Sequence, residues 1–201
     1  MADKPMGVMP LCIIAIFLGV MGVLGGAMGI LGLAIGRTTI PPDKNPKMTE
    51  VNAEFQRRME TMMKENRPFS LLVIPAVMAT SALLAVAGLV GLNLKGLGLL
   101  KAAFVANLLV DIGAAVFQIL VQVKSMGIMK WYFGEMSAAS GSGAGGPAME
   151  MTLQFGLYAG LFFGVFWLVL KLAFYVVGLV YFHKRAIVDA FSGRPAPEAA
   201  V

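Results

Sequence analysis

Four long apolar stretches constrain this chain more than any other feature. Crossing about 30 Å of hydrocarbon takes about 20 helical residues, and residues 9–35, 69–94, 99–123 and 153–182 each reach that length. The first two carry no charge. The third holds one acid, Asp111, beyond its flanking Lys101, and the fourth one base, Lys171. No water reaches that depth to satisfy a bare backbone, so all four spans are expected to be helices. Composition agrees, with 58% hydrophobic and 13% charged residues against roughly half and a quarter in soluble domains. The expected fold is all-α, an integral membrane four-helix transmembrane bundle with one amphipathic loop helix. Residues 1–185 are expected to form a single four-span domain and residues 186–201 a flexible tail.

The first span is too long for the apolar region of a signal peptide, so an uncleaved anchor is expected. No small residue sits just before Cys12, which disfavours a lipoprotein site there. Pro41, Pro42 and Pro46 then break any helix, and a periodic run follows. Met48, Val51, Phe55, Met59 and Met62 step by 3, 4, 4 and 3 residues and make one apolar stripe. Thr49 suits a cap, Glu50 and Glu54 the positive helix end, and Lys64 and Arg67 the negative one. The expected helix covers residues 48–66 and stops before Pro68. Its stripe fits either the membrane surface or a protein contact, and its near-balanced charge favours the protein contact or packing on its own bundle. Residues 93–98 are short enough to make spans two and three an antiparallel hairpin. Trp131, Tyr132 and Phe133 look like an interfacial belt, and the Gly/Ser-rich residues 137–147 read as coil.

Four spans place both termini on one side. Lys4, Lys95, Lys101, Lys184, Arg185 and Arg194 fall on the terminal side, and nine further cations share the much longer loops opposite. The raw count favours the opposite side, but density favours cytoplasmic termini in a cell (inner) membrane. His183, at the end of span four, reads as an interfacial anchor beside Lys184 and Arg185.

Two features carry the candidate sites. Ala15, Gly19, Gly22, Gly26 and Gly29 step by 4, 3, 4 and 3 residues along one face of span one, and Gly156, Gly160 and Gly164 repeat the device in span four. Such seams let helices approach closely, whether within one bundle or between subunits. In span three, Asn107, Asp111, Gln118 and Gln122 share a face, with Asp111 near mid-depth. An unpaired carboxylate there costs several kcal/mol or so. Lys171 shares a face with Gly164 and Gly178, so an Asp111–Lys171 contact is expected. Three roles remain open for it: an ion or proton relay, a lock on helix register, or a contact with another subunit.

Several classes find no footing. No phosphate-binding Gly-rich loop with a following Lys occurs, and one His with one Cys cannot furnish a zinc protease, a bis-His haem site or disulfide-bearing loops. Asp111 has no second buried acid beside it for aspartyl proteolysis, and no basic stripe suits nucleic acid. No cofactor, metal, nucleotide or nucleic-acid partner is expected, and no catalysis. The expected partners are the lipid bilayer and other membrane subunits or further copies of the chain. The leading function is therefore a small non-catalytic subunit or scaffold of a membrane complex. The alternative is an ion- or proton-coupled transporter or channel component using the buried Asp–Lys pair.

Overall fold

The computed structural model describes residues 5, 7–35, 45–140 and 147–193. Its elements are α1 (Val8–Ile35), α2 (Pro46–Gly91), α3 (Leu97–Ser140), α4 (Pro147–Phe182) and α5 (Arg185–Phe191). Among the described residues there is no strand. Four of these helices are long and apolar enough to cross a membrane. The architecture is all-α, and the chain is an integral membrane protein.

Two expected boundaries are corrected. The amphipathic segment is no separate loop helix: α2 runs unbroken for 46 residues through Pro68 and Pro75. At 1.5 Å per residue it is about 69 Å long, more than twice the hydrocarbon thickness. Its charged N-terminal part must therefore stand outside the apolar layer. Proline removes one backbone donor and usually ends a helix, yet packing against α3 continues on both sides of Pro68. Before it, Lys124 pairs with Glu65 at 3.2 Å; after it, the rings of Phe69 and Phe117 lie 6.0 Å apart. Local side-chain bonds also bracket the proline, from Asn66 to the Met62 carbonyl and from Ser70 to the Asn66 carbonyl. Span three likewise does not end at residue 123, because α3 continues to Ser140.

The C-terminal expectation is corrected too. Residues 185–191 form helix α5, with Ile187 buried and the Phe191 ring 6.2 Å from Phe182. An apolar pair at i and i+4 anchors this short helix to the core, where a frayed tail was expected, and residues 194–201 of that tail lie outside the described residues. In the Gly/Ser-rich stretch, residues 137–140 belong to α3 and Pro147 opens α4, while residues 141–146 lie outside the described residues.

The chain divides into two compact units. The first comprises residues 1–33, 73–114 and 168–201. Here α1 to α4 pack as neighbours around Cys12, Ala15, Leu84, Ala87, Leu100, Phe104, Tyr175 and Phe182. Their closest approach uses small residues. A methyl on Gly19 would lie 2.6 Å from the Ala85 nitrogen, one on Gly88 would lie 2.8 Å from the Cys12 carbonyl oxygen, and Gly178 leaves room for the Phe104 ring. The α2–α3 turn puts Leu94 at φ 54° and Gly96 at φ 68°, left-handed conformations that glycine adopts without strain and leucine does not.

The second unit comprises residues 34–72 and 115–167. Its charged parts of α2 and α3 pair antiparallel, so partners descend on α3 as they rise on α2. Asn45 donates to the Ala139 carbonyl, Tyr132 donates to Asn52 at 2.8 Å, and Arg58 lies 3.9 Å above the Trp131 ring. The Met48, Val51, Phe55, Met59 and Met62 stripe is half-buried or buried, with Phe55 4.4 Å from Tyr132. Thus Trp131 and Tyr132 pack into this pairing of α2 with α3. Outside the apolar spans, Glu54 bonds Arg57 and Arg58 at 2.7 and 2.9 Å. The Arg57 hydrogen bond, followed by that of Arg58, holds its carboxyl down at about 2.

Candidate functional site

The chemistry of interest lies within the first unit, where α3 brings polar side chains against α2 and α4. Asp111 is only 8% exposed, on an otherwise apolar stretch of α3. Its carboxylate oxygen Oδ2 meets Lys171 Nζ at 2.5 Å and accepts a hydrogen bond from the Tyr175 hydroxyl at 3.0 Å. Lys171 and Tyr175 stand one turn apart on α4, which aims both at the same oxygen. A buried carboxylate, a cation and a phenol thus form a closed triad. The Tyr175 side chain itself is 1% exposed and packs edge-on against Phe104, with ring centres 5.8 Å apart.

One turn before Asp111, Asn107 serves a different pairing. Its Nδ2 donates to the Thr80 carbonyl of α2 at 2.7 Å and to the Ala103 carbonyl of α3 at 2.9 Å. Ala76 and Val77 carbonyls take the Thr80 hydroxyl, so this helix contact binds main chain rather than another side chain. Asn107 ties α3 to α2, and Asp111 ties α3 to α4. Among the described residues, no buried side-chain nitrogen or oxygen lacks a partner.

The remaining members of the sequence stripe do not join this cluster. Gln118 is exposed and Gln122 half-buried, and both belong to the second unit. Four residues that share a helical face therefore divide into two interhelix ties and two outlying amides. Tyr175 is the residue that sequence reasoning missed. Its signal was available, since it follows Lys171 by four residues on the same face.

The glycine seams behave differently from each other. In the first unit, a methyl added at Gly19 or Gly22 would collide with Ser81 and one at Gly26 with Met78, while one at Gly29 would lie in ordinary contact with Ile74, 3.5 Å away. At Gly156, Gly160 and Gly164 an added methyl would meet no described atom within 4 Å. Of the two readings of the α4 seam, packing within the chain's own bundle finds no neighbour there among the described residues. Around it, Phe155, Tyr158, Phe162 and Phe163 are each more than 60% exposed.

The fold and this site define a class: a multi-pass α-helical membrane protein with a buried, internally neutralised ion pair. No protein-family description matches the chain, and neither curated proteins nor solved structures give a match.

Proposed function

We propose that the chain is a non-catalytic subunit or scaffold of a membrane complex, with both termini in the cytoplasm of a cell (inner) membrane. The observation that carries this reading is the closure of the two buried polar groups of α3, Asp111 and Asn107. Asp111 is occupied by Lys171 and Tyr175, and Asn107 by the Thr80 and Ala103 carbonyls. Polarity in the bilayer that ends in interhelix bonds holds register. An ion path needs groups left available to water or cargo. The open glycine and aromatic face of α4 supports the same reading, because close approach by a neighbouring helix is what such a seam permits. The charged α2–α3 hairpin offers a second rigid surface to an assembly.

The test pairs Asp111→Asn with wild type in proteoliposomes. It measures proton and alkali-ion flux together with thermal stability and native mass. The scaffold reading expects no flux above protein-free vesicles for either protein, and a lowered melting temperature for the variant. A wild-type flux that Asp111→Asn abolishes, with stability and mass unchanged, would instead make the chain a transport component.

A further inference from the structure

The end of the first unit that holds the α2–α3 and α4–α5 turns has an unbalanced charge. Its described charged residues are Lys95, Lys101, Lys184, Arg185 and Asp189, with His183 beside them, so four permanent cations face one acid. They sit where apolar spans stop: Lys95 follows Leu94, Lys101 follows the buried Leu100, and His183 to Arg185 follow the buried Phe182. That is the level at which a bilayer places its headgroups.

Helix α5 makes this end a built surface. The chain leaves α4 through Lys184, whose backbone is extended at φ −64° and ψ 133°, and α5 starts at once with Arg185. Ile187 and Phe191 then enter the same apolar cluster as Leu94, Leu97, Leu100 and Phe182. This pins α5 down and leaves His183, Lys184 and Arg185 exposed. The His183 ring is fixed by its Nδ1, which donates to the Leu179 carbonyl at 2.6 Å. None of the four cations forms an ion pair with Asp189 within 4.0 Å among the described residues.

We propose that this end of the protein, organised by α5, is a docking surface for the anionic phospholipid headgroups of its own bilayer. Charge complementarity and depth select that occupant: the cations flank span ends, where phosphates already lie. Each cation near an anionic surface favours it by about fivefold, so together they enrich anionic lipid around this end and hold α5 on the core. The inference is independent of the scaffold reading.

The experiment reconstitutes the full chain in nanodiscs of phosphatidylcholine alone, or of equal parts phosphatidylcholine and phosphatidylglycerol. It reads the melting midpoint and the ratio of the two lipids retained after mild detergent extraction. Wild type is expected to melt higher in the mixed discs and to retain phosphatidylglycerol several-fold over its bulk share. The variant Lys95→Gln, Lys101→Gln, Lys184→Gln and Arg185→Gln should lose both effects while melting normally in phosphatidylcholine. If that variant folds poorly, Lys184→Gln with Arg185→Gln alone should bring retention down close to the bulk share. As a control, Lys47→Gln with Lys130→Gln, from the charged hairpin, should behave as wild type. Equal retention of the two lipids by wild type would overturn the proposal, as would unchanged enrichment in the variants. An equal stabilisation by soluble glycerol 3-phosphate in phosphatidylcholine discs would also overturn it, since the site would then take a free anion.

Discussion

Truncating Lys171 to Met leaves the Asp111 carboxylate buried with only the Tyr175 hydroxyl beside it. Breaking a buried pair from one side costs about 3–5 kcal/mol, whereas replacing both partners by apolar groups is often neutral. Lys171→Met alone is therefore expected to lower thermal stability more than the double variant with Asp111→Leu, in melts of purified protein. A double variant that is less stable than either single one would contradict the lock. Asn107→Leu removes two bonds to carbonyls and should cost about 1 kcal/mol, within the range measured for such bonds in membranes. The Asp111–Lys171 contact is legible in the sequence, because two opposite charges at matched depth in neighbouring spans have few other solutions. The Asn107 contact is not, since its acceptor is the backbone carbonyl of Thr80 and main-chain atoms leave no residue signature.

At the scale of elements, the two faces of α1 predict opposite responses to bulk. Gly19→Leu would drive a side chain into the α2 backbone beside Ala85, and overpacking of that kind costs about 1–3 kcal/mol or more. Gly25→Ala meets open space and should be neutral or stabilising, because alanine is the better helix former. Comparing both melting temperatures checks the α1–α2 contact. In the charged hairpin, the two arginines hold the Glu54 carboxyl at about 2. A carboxyl lowered in the folded state contributes stability above its unfolded value and loses it as pH falls through the folded one. The Glu54 pairing should thus survive the usual carboxylate range and fail only near pH 2, seen as the midpoint of its carboxyl signal in an NMR titration. The stripe from Met48 to Met62 is readable from its period. The continuity of α2 past Pro68 is not, because the packing of Glu65 and Phe69 on α3 overrides a local rule about proline. Helix α5 escapes the sequence for a related reason: two anchors, Ile187 and Phe191, are too few to make a period.

For the whole molecule, four apolar spans are plain in the sequence because bilayer thickness imposes a length that few soluble helices share. Its division into two compact units is not, since α2, α3 and α4 each contribute to both and no composition break marks the change. Cytoplasmic termini predict that a thiol introduced at Ser192, which is exposed, is alkylated only after cells are permeabilised. Labelling of intact cells would reverse the topology. The central claim is that the chain works by assembling with neighbours through the unfilled α4 face. Native mass after mild solubilisation, compared between wild type and Gly160→Leu, tests it most directly. Wild type should run as a defined complex well above the 21.3 kDa chain, and Gly160→Leu as a smaller species with an unchanged melting temperature. A wild-type protein that is monomeric under the same conditions, at the same mass as Gly160→Leu, would contradict the claim.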